Sequence, residues 1–299
     1  MKQQIKSSLI LLLTATIWGV AFVAQSVGME YIGPFTFNAI RCVLGGMVLI
    51  PVILVLKKKK ETGAENQEKE DKKILWMGGI ACGVILCIAS NLQQFGIMEA
   101  SVGKSGFFTA LYIVMIPVIG IFIGKRPGIK LWFCVALAVV GMYLLCMKDG
   151  SFTIERADIM LLLCALAFSF HILVVDYFSP KVDGVKMSCI QFFVCGVLSA
   201  VGMLFTETPD ISNIQAAWLP LLYAGLLSCG VGYTLQIVGQ KGINPVIASL
   251  IMSLESVISA LAGWVILGQV LSPKEILGCV LMFVAIIITQ IPIGNKKTD

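Results

Sequence analysis

Residues 7–26 read SSLILLLTATIWGVAFVAQS. No charge interrupts them, and a helix needs about 20 apolar residues to cross the hydrocarbon of a bilayer. No small-x-small cleavage pattern follows, since Gly28-Met29-Glu30 is a poor match. The stretch is therefore expected to remain as a helix rather than to leave as a signal peptide. The same kind of stretch recurs along the chain, and further spans can be drawn at 34–56, 74–97, 103–124, 129–147, 157–177, 185–205, 217–238, 244–267 and 273–292. Pro34, Pro127, Pro180, Pro209, Pro245, Pro273 and Pro292 punctuate their ends, while Pro51 and Pro117 lie inside spans, where a membrane helix tolerates a kink. The spans use nearly all of the 299 residues and leave no room for a soluble domain. Composition agrees: 13% of residues are charged, against about 25% in a typical soluble domain. A hydrophobic share of 58% excludes a disordered chain, a secreted disulfide scaffold and an ordinary soluble enzyme. The expected fold is all-α and integral to the membrane, with ten transmembrane helices.

Charge then sets orientation. The basic run Lys57 to Lys60 is followed at once by Glu61, Glu65, Glu68, Glu70 and Asp71. Such a mixed run is a solvated loop, so no nucleic-acid partner is expected. With the N-terminus inside, 17 Lys and Arg fall on inner loops and 4 on outer ones, Lys104, Lys148, Arg156 and Lys274. That asymmetry predicts both termini in the cytoplasm and a multi-pass protein of the cytoplasmic (inner) membrane. Trp76 and Trp132 at one face, and Tyr31 and Trp218 at the other, fit interfacial belts. The 10 cysteines all lie in apolar spans without a Cys-x-x-Cys, and there is one histidine. Buried cysteines act as small hydrophobes, and no metal site is expected.

The halves align with one another. At an offset of 150, Leu11, Leu12, Leu13, Ala15, Ile40 and Gly46 meet Leu161, Leu162, Leu163, Ala165, Ile190 and Gly196. At 143, Leu92, Gln93, Gly96, Val114 and Gly120 meet Leu235, Gln236, Gly239, Val257 and Gly263. The division falls at 1–148 and 149–299, with five helices in each half. Five is odd, so the second half enters the membrane from the opposite side. Two inverted five-helix repeats are a recurring build for secondary carriers, because exchanging their conformations exchanges inward-open for outward-open states.

A charge in mid-membrane costs about 2.5–3.5 kcal/mol on insertion scales, so each needs a reason. Arg41 lies in the second span and Glu255 near the middle of the ninth. Either can bond neighbouring helices, or line a pathway and set charge balance or coupling. Lys104 opens the fourth span, where it can snorkel to the interface or add to that balance. His171 is a structural hydrogen-bonder or a ligand for substrate or protons. Polar stripes mark the remaining candidates: Thr14, Trp18, Ala21 and Gln25 on the first span, Asn91 and Gln94 on the third with Ser90 and Gln93 beside them, and Gly232, Tyr233, Gln236 and Gln240 on the eighth. Amides there serve as interhelical glue or as a cavity wall. Ser249, Ser253, Ser256 and Gly263 on the ninth span are the small residues of close helix packing.

These residues resemble the drug/metabolite transporter superfamily, in particular its EamA-type ten-helix carriers. Trp18-Gly19 with Arg41, Asn91-Leu92-Gln93-Gln94 followed by Lys104-Ser105-Gly106-Phe107-Phe108-Thr109, and Ser253-Leu254-Glu255-Ser256-Val257 with Gly268-Gln269 and Gly278 carry the likeness. Two positions depart from the family pattern: Ser256 stands where proline is common, and Gln269 where an acid is common. The resemblance implies export, less often uptake, of small metabolites or drugs, with amino-acid-like or nucleoside-like substrates. The expected function is secondary transport by alternating access, with no cofactor beyond possible proton coupling at Glu255 or His171. Trp18, Gln94, Tyr233, Gln236 and His171 are the expected substrate contacts, and helices 1, 3, 4, 6, 8 and 9 the expected cavity wall. A passive facilitator or channel is the alternative. A membrane-embedded enzyme lacks a recognisable nucleophile and base in this sequence. The partners are then the solute and the lipid bilayer, for a monomer or a homodimer.

Overall fold

The structure, a computed structural model, describes residues 2–62, 71–100, 102–124, 127–146, 155–268 and 272–290. Gln269, Lys125, Arg126, Lys148, Pro292, the last two lysines and most of the loop after Lys60 lie outside the described residues. The described residues are helical, without strands: α1 (Lys2–Gly28), α2 (Pro34–Thr62), α3 (Lys72–Glu99), α4 (Val102–Ala110), α5 (Tyr112–Phe122), α6 (Ile129–Cys146), α7 (Arg156–Phe178), α8 (Gly184–Thr206), α9 (Ile211–Ala216), α10 (Trp218–Leu222), a π-helix π1 (Tyr223–Tyr233), α11 (Thr234–Gln240), α12 (Pro245–Met252), α13 (Glu255–Leu267) and α14 (Pro273–Gln290). Among the described residues, eight spans are long and apolar enough to cross a membrane, and two shorter apolar helices cover Ile129–Leu144 and Ile276–Ile288.

Acidic and amide side chains start several of these helices. Asp71 Oδ1 accepts from the backbone N–H of Lys73 at 2.8 Å, Asp183 Oδ1 from Val185 at 3.0 Å, and Asn244 Oδ1 from Val246 at 2.9 Å with Pro245 beginning α12. Each satisfies a backbone donor that the first turn leaves open. The outward faces are apolar. Along α3, Met77, Ile80, Val84, Ile88 and Phe95 are exposed. The opposite face buries Gly79, Cys82, Gly83, Ser90, Gln93, Gln94 and Gly96. Apolar outside and small or polar inside is the pattern of a helix that faces lipid on one side and packed protein on the other. This is a multi-pass membrane protein.

α2 packs along α8, α3 along α7 and α8, α6 along α14, and α1 along α11, α13 and π1. Close approach needs small residues: an added Cβ on Gly83 would lie 2.8 Å from the Gln191 carbonyl. Polar side chains join the same contacts. Asn91 bridges three helices, accepting from Asn38 Nδ2 at 2.9 Å and donating to Ser199 Oγ at 3.0 Å. Its amide is interhelical glue. Cys42 and Cys195 are buried free thiols with sulfurs 3.4 Å apart, between α2 and α8.

Three of the ten expected spans are not continuous helices. The fourth breaks at Leu111, the ninth at Ser253-Leu254, and the eighth runs as a π-helix from Tyr223 to Tyr233. At both breaks the backbone tightens to i−3 bonding: Leu111 N–H donates to Phe108 O, and Leu254 N–H to Ile251 O, each at 3.2 Å. The serine stripe of the ninth span spends its hydroxyls on local carbonyls, Ser253 on Leu250 at 2.8 Å and Ser256 on Ser253 at 2.7 Å. A broken helix in a membrane needs such replacement donors. Ser256, standing where the resemblance led one to expect proline, is one of them.

Candidate functional site

The breaks and the π-helix meet at one cleft. α1 contributes Trp18, Phe22 and Gln25, α2 Arg41, and α3 Gln93. α4 and α5 bring Thr109 and Tyr112, α7 Phe168 and Ile172, π1 and α11 Ser228, Tyr233 and Gln236, and α13 Glu255. The empty volume is about 440 Å³, but only about 30 Å³ of it admits the centre of a water molecule. Since about 10–15 Å³ of such space takes one water, the cleft as it stands has room for a couple of waters. A metabolite needs the walls to part.

The lining is aromatic with a few polar groups. The Trp18 and Tyr233 rings lie 4.6 Å apart, and Phe192 meets Tyr233 edge-on at 5.7 Å. Trp18 Nε1 donates to the Ser228 carbonyl at 3.4 Å, a carbonyl in π1. Arg41 is buried; its Nη1 donates to Gln25 Oε1 at 2.8 Å, and its guanidinium carbon lies 5.7 Å from the centre of the Phe37 ring. Glu255 accepts from the Tyr112 hydroxyl at 2.9 Å. Gln93 Nε2 donates to Thr109 Oγ1 at 3.4 Å. The Gln236 Oε1 is buried without a hydrogen-bond partner among the described residues, a free acceptor beside the cleft.

Of the residues expected from sequence, Trp18, Tyr233, Gln236, Arg41 and Glu255 come together here, and Gln94, His171 and Lys104 do not. Gln94 is buried with its Nε2 on Met29 Sδ at 3.4 Å, and its neighbour Gln93 takes the wall. His171 sits one ring behind the wall, 6.0 Å edge-on from Tyr233, with Nε2 3.1 Å from Gln191 Oε1. Lys104 lies at the start of α4 and pairs with Asp158 at 3.0 Å and Glu155 at 3.1 Å, the residues that cap α7. Lys104 ties the start of α4 to the start of α7. Lys104→Ala leaves the buried Asp158 carboxylate without its cation, and should cost roughly 2 kcal/mol of stability. A lower thermal unfolding midpoint in detergent, with transport per folded molecule unchanged, is the expected result.

Phe22, Thr109, Tyr112, Phe168, Ile172 and Ser228 were not expected at the wall, and Gln93 only as one of the third-span amides read as glue or cavity wall. The repeated Leu-Gln-x-x-Gly was the available signal for one of them, because it equates Gln93 with Gln236. The same arithmetic sorts most of the lining. Trp18 and Phe168, and Phe22 and Ile172, stand 150 apart; Gln93 and Gln236, and Tyr112 and Glu255, stand 143 apart. Eight of the thirteen lining residues fall into these four pairs.

A second cavity, with about 750 Å³ of empty volume, lies between the ends of α5 and α7 and the starts of α6 and α12. Ile116, Pro117, Gly128, Leu131, Leu173 and Val246 are among its walls. Ile172 lines the first cleft and its neighbour Leu173 the second, so α7 contributes a wall to both.

A model of the EamA-like transporter family matches residues 5–147 and again 155–291. An uncharacterized transporter of Archaeoglobus fulgidus is 27% identical over 282 residues, 94% of this chain and 84% of that protein. The uncharacterized transporter YwfM of Bacillus subtilis is 23% identical over 305 residues, 97% and 96% of the respective chains. A solved crystal structure superposes with a TM-score of 0.76 at 17% identity, over 95% of this chain and 96% of the other; it shares the fold.

Proposed function

The chain belongs to the EamA-like transporter family, and from that premise we propose that it is a secondary transporter of the cytoplasmic membrane working by alternating access. Ten helices cross the bilayer in this reading: the eight long spans and the two shorter ones at 129–144 and 276–288. Residues 1–148 and 149–299 form two inverted repeats with both termini in the cytoplasm. The double family match supports the division. So does the packing, in which α3 lies on α7 as α1 lies on π1 and α11, and α2 and α6 pair with their counterparts α8 and α14.

The cleft carries the functional reading. Most of its wall is built from residues paired by the internal offsets, which supports a repeat axis through the cleft. A site on that axis is equally reachable from either side when the halves exchange conformations. Its near closure favours a carrier over a pore, because a pore needs a continuous water path. The substrate proposed is a small amphipathic metabolite of amino-acid type: Arg41 meets a carboxylate, Glu255 an ammonium group, and the aromatic wall an apolar side chain. The free acceptor of Gln236 suits a second polar group of the solute, with nucleoside-like molecules as the competing class. Transport is read as export, and Glu255 is the group proposed to exchange a proton during the cycle.

Counterflow of labelled amino acids in proteoliposomes tests this. Acceleration by unlabelled solute on the far side is expected for a carrier; uptake without it would indicate a passive facilitator. Trp18→Ala, Tyr233→Ala and Gln236→Ala should each cut counterflow about tenfold or more, the ~1.4 kcal/mol of one lost contact. Wild-type flux in all three would remove the site from the cleft.

A further inference from the structure

The two broken spans break at matching places. α5 begins at Tyr112 and α13 at Glu255, 143 positions apart, which is the offset that equates Gln93 with Gln236. The residues just before them, Leu111 and Leu254, supply no side-chain cap to either new helix start. Tyr112 and Glu255 are both buried and both line the cleft. Their side chains meet: the Tyr112 hydroxyl donates to Glu255 Oε1 at 2.9 Å. One hydrogen bond in the cleft wall therefore joins the first residue of one half-helix to the first residue of its counterpart. The matched residues differ in chemistry, a phenol that donates facing a carboxyl that accepts.

We propose that this hydrogen bond is a latch between the two broken helices. While it is made, α5 and α13 are held together across the cleft and the cleft stays closed; when it opens, both breaks loosen at once. The i−3 turns at Leu111 and Leu254 supply the compliance, since they replace a regular helical bond by a tighter one of poorer geometry. The serine hydroxyls at the second break keep its carbonyls satisfied as it bends. Tyr112 is in this scheme a positioning residue that acts through Glu255. The latch goes beyond the carrier reading and holds whichever solute is carried.

Hydrogen exchange on the full chain in phospholipid nanodiscs, with no solute added, tests the latch directly. Tyr112→Phe removes a single oxygen from the protein. It should raise exchange at the amides of residues 113–116 and 256–259 together, each by about tenfold or more, as expected for one lost bond to a carboxyl. A residue that merely fills space would loosen its own helix alone. The swapped chain, Tyr112→Glu with Glu255→Tyr, rebuilds the bond in the opposite direction and should return both segments to near wild-type protection. The latch is wrong if Tyr112→Phe leaves exchange unchanged or raises it in only one half, or if the swapped chain exchanges as fast as Tyr112→Phe. Should the swapped chain not fold, Glu255→Gln takes its place, because it keeps an acceptor oxygen for the phenol. Protection like wild type at both breaks is then expected, and exchange like that of Tyr112→Phe overturns the proposal.

Discussion

Arg41→Met should abolish counterflow while leaving the thermal unfolding midpoint unchanged or higher. The two halves of that expectation have one cause. Arg41 is 2% exposed, it bonds Gln25, its Nε has no partner, and no carboxylate lies within ion-pairing distance among the described residues. A buried cation held this way is costly to the fold, and replacing buried charge by an apolar side chain of similar length is often neutral or stabilising. Retaining it makes sense if an anionic group arrives with the solute. Removing one partner of a desolvated charge pair costs about 2–5 kcal/mol, which is about 30-fold to several thousandfold in affinity. Arg41→Lys should rescue little, because a compact ammonium does not reproduce the planar fork that spans Gln25 and a carboxylate. The measurement is counterflow of labelled amino acids beside thermal unfolding of the same preparation. Wild-type flux in Arg41→Met would sink the anion-binding role. Normal flux per folded molecule with a much lower midpoint would make Arg41 a structural residue instead.

The parts of the molecule that were legible in the sequence are those the bilayer dictates. Span lengths, prolines at span ends and the scarcity of charge follow from the cost of exposing polar groups to lipid, so the helices could be placed within a few residues. Trp18, Arg41, Tyr233, Gln236 and Glu255 stood out because polar or amphipathic groups in such spans need a reason, and all five reach the cleft. Gln94 shows where this stops. Two adjacent amides, Gln93 and Gln94, are equally expensive in lipid, and which one faces the cleft depends on how α3 is rotated against α7. That rotation is set by packing such as Gly96 against Leu161, where an added Cβ would lie 2.4 Å from Leu161 Cγ. The internal offset held the answer, since only Gln93 has a glutamine partner in the other half. His171 lies off the wall for a related reason: Gln191, matched to Arg41 at the offset of 150, bonds it behind Tyr233, the structural one of its two sequence readings. The breaks at Leu111 and Leu254 carry no glycine or proline at the turn itself, so local sequence gives no punctuation there. Their signal is indirect, a matched pair of unlike polar residues at Tyr112 and Glu255.

Gly19→Ala should be strongly destabilising, and more so than its size suggests. A Cβ built on Gly19 would lie 2.4 Å from Ile258 Cβ and 2.8 Å from the Glu255 carbonyl oxygen. Neither is the free end of a flexible side chain. One is anchored directly to the backbone of α13 and the other is that backbone, so α1 and α13 must move apart. Overpacking of this kind costs about 1–3 kcal/mol for small additions, and Gly19→Val should exceed it. The displacement also falls on the turn that begins α13, so Glu255 shifts against Tyr112 and transport should decline together with stability. Gly103 supplies the control. It too lies in a membrane-spanning helix, but its built Cβ has nothing within 4 Å, so Gly103→Ala should change neither property. Ile258→Gly in the Gly19→Ala background removes the side-chain clash but leaves the carbonyl contact, and should restore only part of the loss. Thermal unfolding in detergent reads all four chains. If Gly19→Ala matches Gly103→Ala, then α1 and α13 are not in backbone contact at Gly19, and the small residue after Trp18 has some other cause.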